Sequence, residues 1–175
     1  MSGSLVLIQE TTVSSAVSSV TLTGIDSTYD VYKVVLDNVV PADDNKDLYL
    51  NYIKASDSSV DATANYDIAS AGLYASSTYQ SNSAENLNNQ KVMFARGNAT
   101  NEMSSCIIYL FSTFSSSDFS FNTVEATGLN FNSQLYGEQG GGVHTVAQSN
   151  SGVSFSWEDG GNFTAGTFKL YGLNK

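Results

Sequence analysis

The chain has 175 residues, a net charge of −10 at pH 7 and only seven lysine and arginine residues. A nucleic-acid or anionic-membrane partner requires clustered basic side chains, and because the seven here are scattered, the sequence argues against both. Hydrophobic residues make up 41% of the chain and charged residues 14%, which predicts a folded protein with a polar but largely uncharged surface. The length fits one domain, residues 1–175.

Apolar and polar residues alternate with a period of two along most of the chain, which is the pattern of half-buried β-strands. The segment VYKVVLDNVV, residues 31–40, is apolar on both faces and predicts a central strand covered on both sides. In DFSFNTVE, Phe119 and Phe121 alternate with Ser120 and Asn122, and we expect most phenylalanines to lie in the core. About a dozen short strands are predicted, at residues 4–9, 16–23, 30–39, 46–54, 65–74, 91–95, 104–111, 118–126, 129–136, 142–147, 152–157 and 166–173.

Short strands separated by turn residues predict an all-β fold, an antiparallel β-sandwich of jelly-roll-like type. Three polar stretches, residues 54–65, 76–90 and 137–142, are expected to be loops. Residues 82–90 are expected to form at most one short turn of helix. Loops on a rigid sandwich commonly carry the functional contacts, so these stretches are candidate contact regions.

The acidic tract DDNKD, residues 43–47, follows the only proline of the chain, Pro41. Its spacing is that of the start of an EF-hand loop, but the glycine and the glutamate that complete this motif are replaced by Leu48 and Lys54. The EF-hand interpretation fails because lysine cannot ligate calcium. Pro41 is expected to end a strand and the acidic tract to form a hairpin turn without a metal. A looser calcium site built from the same oxygens is the alternative.

The sequence contains no recognisable catalytic motif. The only histidine, His144, lies in a strand-like segment, where we expect an ordinary half-exposed side chain. The only cysteine, Cys106, lies in an apolar run, which predicts a small buried hydrophobic residue. We therefore predict no enzymatic activity and no cofactor. If turnover were found, Glu125, Glu138 and His144 would be the first residues to substitute.

Three tyrosines, Tyr74, Tyr79 and Tyr136, lie in or beside predicted loops. Exposed tyrosines stack on sugar rings and anchor protein interfaces. These three residues are the candidate ligand-binding residues, and a surface glycan is the ligand class that they favour.

Motifs at both ends of the chain resemble one family of phage proteins. SLVLIQE is followed by a Ser/Thr-rich strand, by GIDSTYDVYKVVLDNVVP, by an acidic turn with LYLNYI and, at the C-terminal end, by FTAGTFKLYGLNK. This order is similar to that of small β-sandwich proteins of tailed bacteriophages, of marine and cyanobacterial type, which end in a GT-x-K/R-LYG strand. The matching residues are Gly166, Thr167, Lys169, Leu170, Tyr171 and Gly172.

The resemblance implies a structural protein of the virion, either a head decoration or a tail-associated adaptor, tip or fibre component. It implies other capsid or tail proteins as partners and a homo-oligomer, such as a trimer, that covers edge strands. The family motif supplies no catalytic or binding residue. A carbohydrate-binding module or host-receptor-binding domain is the alternative function, which the three tyrosines favour.

Overall fold

The computed structural model describes residues 4–76 and 79–174, and these contain twelve β-strands and one 3₁₀ turn, Glu158–Gly160. None of the described residues belongs to a helix long and apolar enough to cross a membrane. The strands are β1 Leu5–Val13, β2 Ser19–Thr23, β3 Val31–Pro41, β4 Lys46–Lys54, β5 Tyr66–Tyr74, β6 Tyr79–Leu87, β7 Gln90–Arg96, β8 Ser104–Phe111, β9 Ser120–Leu129, β10 Leu135–His144, β11 Asn150–Trp157 and β12 Phe163–Leu173.

The strands form two antiparallel sheets of unequal size. The large sheet has eight strands in the order β1-β12-β3-β8-β9-β10-β5-β6, and the small sheet has four in the order β2-β11-β4-β7. The two sheets pack face to face around one apolar core. The predicted all-β antiparallel sandwich is confirmed.

Large aromatic side chains fill the core where β11 of the small sheet meets β12 of the large sheet. The ring centre of Phe163 lies 5.3 Å from that of Trp157 and 5.4 Å from that of Phe168. Leu36 of β3 and Ile108 of β8 are also fully buried. Each such side chain stabilises the fold by roughly 1.5–3 kcal/mol through burial, so this region is the main source of stability.

The acidic tract links the two sheets and is not the predicted hairpin. β3 ends at Pro41 as expected, but β4 belongs to the small sheet, so residues 42–45 carry the chain from one sheet to the other. Asn45, the last residue of this connection, has a left-handed backbone conformation (φ 57°). A turn within a sheet and a turn between sheets use the same residue types, and the local sequence therefore could not distinguish them.

Strand β6 occupies most of the stretch predicted as a loop at residues 76–90, of which 77 and 78 lie outside the described residues. The helical turn expected at 82–90 is also wrong, because Ala69 of β5 opposes Ser83 of β6 in an antiparallel ladder. Both faces of β6 are largely solvent-exposed at the edge of the sheet. Because neither face of such an edge strand is buried, its sequence need not alternate apolar and polar residues. The period-two pattern therefore did not predict β6.

Strand β10 runs through the glycine-rich stretch 137–142, which was predicted to be a loop. The strands predicted at 129–136 and 142–147 are displaced accordingly, since β9 ends at Leu129 and a turn over residues 130–134 precedes β10. Gly140 and Gly141 are needed for close packing rather than for flexibility. A Cβ atom on Gly140 would collide with the backbone of Ala69 and Ser70 on β5.

Two alanine substitutions in β10 test this packing. Gly140→Ala is expected to lower the free energy of unfolding by about 1–3 kcal/mol, because the added methyl group forces β5 and β10 apart. Gly137→Ala in the same strand is the control, since its nearest neighbour, the backbone oxygen of Ala126, would lie at 3.8 Å. Urea unfolding followed by the fluorescence of Trp157 measures both. Equal stability of the two variants would contradict the packing argument.

Candidate functional site

One face of the large sheet has no covering layer within the described part of the chain. The inner face packs on the small sheet, and the outer face carries the alternate residues of each strand. Six apolar side chains form a row across this outer face. We call this row the outer stripe: Leu5, Leu173, Val31, Phe111, Phe121 and Val143, on β1, β12, β3, β8, β9 and β10.

The outer stripe is continuous because its members oppose one another across neighbouring strands. Phe121, for example, opposes Phe111 on one side and Val143 on the other. Leu5 and Phe121 are 48% and 50% exposed, and the other members are half-buried by their neighbours alone. An exposed apolar row is a common feature of interaction sites, so the outer stripe is the candidate functional site.

The composition of β3 is that of a strand with a covering layer on both sides. β3 is apolar on both sides, as strands buried between two layers are. Val34 and Leu36 face the core, whereas Val31 and Val35 lie on the outer face and are only half-buried. The predicted cover on both sides of β3 is therefore wrong within this chain, which supplies a layer on one side only.

The alternation in β9 is inverted with respect to the expectation. Ser120 and Asn122 are buried between the sheets, while Phe121 points outward. Phe119 and Phe131 are also exposed, so the expected core position is wrong for these three phenylalanines. The buried polar groups have partners: Asn122 and the side chain of Gln90 exchange two hydrogen bonds of 2.7 Å.

Small residues of β10 and β5 create two shallow depressions on the outer face. One, of about 460 Å³, lies over Gly137 and is lined by Leu73, Ile107 and Glu125. The other, of about 770 Å³, lies over Gly141 beside Phe121. Each joins exposed apolar surface to a few carboxylate, amide or hydroxyl groups.

The three candidate tyrosines do not form one surface site. Tyr136 is fully buried, so its expected surface position is wrong, and its ring stacks on that of Tyr74 at 4.3 Å. The Tyr74 hydroxyl donates a hydrogen bond of 3.1 Å to Gln80 on β6. Tyr79 is 65% exposed and opposes the exposed Leu73 on the outer face. Ligand binding by these tyrosines stays a prediction, and Tyr79 is the one that a ligand can reach directly.

A buried ion pair joins the two sheets next to Tyr136. A guanidinium nitrogen of Arg96 on β7 lies 2.5 Å from a carboxylate oxygen of Glu138 on β10, and both side chains are almost completely buried. Arg96 also donates a hydrogen bond of 3.2 Å to the carbonyl of Tyr136. Burial raises the pKa of Glu138 to about 7, although the neighbouring Arg96 charge acts in the opposite direction.

A second buried polar cluster surrounds His144, which is fully buried rather than half-exposed as predicted. Its Nε2 lies 3.3 Å from a carboxylate oxygen of Asp61. The ring centres of Tyr66 and Tyr52 lie 4.7 and 5.5 Å from that of His144. Burial lowers the pKa of His144, and the Asp61 carboxylate only partly opposes this effect. A fully buried imidazole among aromatic rings has no access to a substrate from solvent.

The residues marked for substitution in case of turnover lie apart. Glu125 is on the outer face, whereas Glu138 points between the sheets, because it opposes Ala126 and not Glu125.

The buried position predicted for Cys106 is confirmed. Within residues 4–76 and 79–174, no three His, Cys, Asp or Glu side chains are grouped so that they could hold a metal ion.

No family model matches the sequence, and no curated protein matches it either. The resemblance to phage β-sandwich proteins therefore stays a prediction. Three of the motifs that carry it form neighbouring strands. SLVLIQE contributes β1, VYKVVLDNVVP forms β3 and GTFKLYG lies in β12, and these three strands are neighbours at one end of the large sheet.

The Arg96–Glu138 pair can be tested by a double substitution. Glu138→Ala is expected to lower the free energy of unfolding by about 3–5 kcal/mol, because it leaves the Arg96 charge buried without a partner. Combining Arg96→Met with Glu138→Leu removes both charges and is expected to recover at least about 2 kcal/mol of that loss. Urea unfolding measures all variants. A single substitution costing less than about 1 kcal/mol would show that the pair is not desolvated.

His144 should make stability depend on pH. Its pKa in the folded state is below the unfolded value of 6.5, so its contribution is fully present above that pH and is lost as the pH falls. Glu138 acts oppositely, since its raised pKa lowers stability as the pH rises towards 7. The test is therefore the difference in unfolding free energy between the wild type and His144→Gln. We expect this difference to change between pH 7.5 and 5.5 by at most about 1.4 kcal/mol per pH unit, in favour of the variant at low pH. A constant difference would contradict the account.

Proposed function

We propose that this protein is a non-enzymatic structural component of a tailed-phage virion, exposed on the particle as a head decoration or a tail-associated adaptor, tip or fibre part. The observation that carries the proposal is the outer stripe, a continuous apolar row on a sheet face that the chain leaves uncovered. Its support from sequence is the family resemblance, whose motifs supply β1, β3 and β12, the strands at one end of this face.

The size of the outer face suits a stable contact with a neighbouring subunit. Eight strands about 4.8 Å apart and about eight residues long span roughly 1,000 Å². A standard protein interface buries about 800 Å² on each partner, so this face is large enough for one. The members of the outer stripe are all uncharged, and apolar composition at the centre of a patch is typical of contacts between subunits.

Under this proposal, the partners are other capsid or tail proteins and further copies of the chain. The buried positions of Glu138 and His144 are consistent with a role in folding rather than in chemistry. Assembly through an apolar sheet face requires neither a metal nor a cofactor.

A test of the proposed location is immunogold labelling of virions of the phage that encodes the protein. We expect label over the head for a decoration protein or at the tail for an adaptor, tip or fibre component. Virions of an unrelated phage are the control for antibody specificity. Intact virions of the encoding phage without label would overturn the proposal.

The role of the outer stripe in assembly is tested by one added charge. Phe121→Asp is expected to leave the fold intact, because the side chain is 50% exposed, and to lower incorporation into particles by about tenfold or more. Ser15→Asp adds the same charge at an exposed position between β1 and β2 and is expected to incorporate normally. Quantitative mass spectrometry of purified particles measures both, and equal incorporation would contradict the role of the stripe.

Glycan binding is a second candidate, supported by the depression over Gly137. Glu125 and Gln139 line it together with Asp37, and carboxylates and amides of this kind bond sugar hydroxyls. Leu73 also lines it and opposes the exposed Tyr79, whose ring could stack on a sugar. Binding on a glycan array that is lost in both Tyr79→Ala and Glu125→Gln would support this function. An array without a signal would remove it.

A further inference from the structure

The sandwich has four edge strands. The two at one side, β1 and β2, are joined to each other, and β1 also has an irregularity between Leu7 and Gln9 and the charged residue Glu10. β1 ends the large sheet and β2 ends the small sheet. The side chain of Gln9 on β1 bridges them: its Oε1 accepts a hydrogen bond of 2.6 Å from the backbone N–H of Thr23, and its Nε2 donates one of 3.2 Å to the carbonyl of Thr21. Backbone groups of β2 that would otherwise be open to another strand are thereby occupied.

The third edge, β7 of the small sheet, is also closed. The Asp47 carboxylate accepts a hydrogen bond of 2.8 Å from the backbone N–H of Ala95, and the Ala95 carbonyl accepts one of 3.1 Å from the N–H of Phe131. Two irregularities interrupt the pairing of β7 with β4, and Lys91 adds a charge. Irregular pairing and lysine are devices that keep edge strands from joining other chains.

The fourth edge, β6 of the large sheet, lacks this protection over most of its length. In the described part of the chain, the backbone ladder of β6 is formed with its neighbour β5 alone. The strand is nine residues long and has neither lysine nor proline, and Glu85 is its only charged residue. Its one irregularity lies near the C-terminal end, so Tyr79 to Ala84 form a regular ladder with an open outward side. Such an edge is a template for an added strand.

We propose that β6 pairs antiparallel with β6 of a second copy of this chain about a two-fold axis, so that two large sheets become one continuous sheet. The strand is self-complementary for this pairing. Serine, asparagine and glutamine side chains both donate and accept hydrogen bonds, so a copy of the same strand satisfies them. With the axis anywhere between Ser81 and Ser83, the two Glu85 carboxylates are about 13 Å or more apart, and like charges never oppose each other.

The geometry of the sandwich leaves room for the second copy. β7, the end of the small sheet on this side, contacts β9 and β5, and β6 is exposed on both faces. A two-fold axis perpendicular to the sheet keeps the outer faces of both copies on the same side. The two outer stripes then point the same way, and the pair presents a doubled apolar face to one underlying surface. The second copy of the chain would be one of the partners in the proposed assembly. The pairing rests on the proposed virion role only for its biological setting.

Disulfide trapping tests the pairing. Ser81→Cys and Ser83→Cys place thiols on exposed positions of β6, and Ser15→Cys is the exposed control, while Cys106 is buried and unreactive. An axis at Ser81 or Ser83 brings two identical residues together, whereas an axis at Asn82 places Ser81 opposite Ser83 of the other copy. The double variant Ser81→Cys/Ser83→Cys is therefore included. On mild oxidation we expect disulfide-linked dimers of at least one of the three β6 variants to form about tenfold faster than those of the control. Rates equal to that of Ser15→Cys for all three β6 variants would overturn the pairing.

Analytical ultracentrifugation of the purified protein, which measures the dimer dissociation constant, is the second test. The ladder buries less area than a standard interface, so the dimer is expected only at high micromolar concentration or above. Ser81→Asp combined with Ser83→Asp is expected to raise the dimer dissociation constant about tenfold or more, because each allowed register places the added carboxylates opposite one another or opposite Glu85. Thr12→Asp combined with Ser14→Asp adds the same two charges at exposed positions in and beside β1 and should leave the constant unchanged. A dimer insensitive to the β6 substitutions would show that a different surface mediates association and would overturn the inference.

The outcomes separate this inference from the proposed function. Dimers trapped through β6 together with unlabelled virions of the encoding phage would leave the pairing standing and overturn the virion role. Labelled virions together with control-level trapping would overturn the pairing alone.

Discussion

The small sheet is half as wide as the large sheet, and four strands cannot cover both faces of eight. All of the apolar core is therefore built on one side of the large sheet, where β11 and β4 lie against β12, β3 and β8. The other side of the large sheet carries apolar residues, as a covered face does, although no layer of this chain covers it. Val31, Phe111 and Phe121 are examples. This mismatch between pattern and covering layer is the physical reason for proposing a partner.

The space between the sheets changes character from one end to the other. Around Trp157, Phe163 and Phe168 it is apolar, whereas between β7 and β10 it contains the Arg96–Glu138 pair. A buried ion pair contributes little net stability compared with apolar side chains of the same size. Arg96 and Glu138 come from different sheets, so a shift of one sheet over the other by one residue would leave a charge buried without its partner. The apolar end of the sandwich therefore contributes most of the stability of the fold, whereas the polar end contributes to the alignment of the two sheets.

The sequence predicted the fold class and most of the strands because alternation is a direct consequence of a sheet with one face in the core. It missed β6 and the course of β10 for physical reasons. β6 is an edge strand with two exposed faces, and Gly140 of β10 is required because β5 approaches it closely, which a single sequence cannot reveal. The ring of Tyr136 is buried by Tyr74 and Arg96, residues distant in sequence, so its surface position was predicted wrongly. The only sign of the outer stripe in the sequence was the composition of β3, which has more apolar residues than a strand with one buried face requires.

The central claim is that the outer stripe and the β6 edge are open in the free chain and covered in an assembly. Hydroxyl-radical footprinting of the free protein and of purified virions tests it directly. The account predicts that Phe121, Leu5 and Tyr79 are oxidised in the free protein and protected in virions, while Phe163 is protected in both because it is buried. Equal oxidation of Phe121 and Tyr79 in the two samples would contradict the claim.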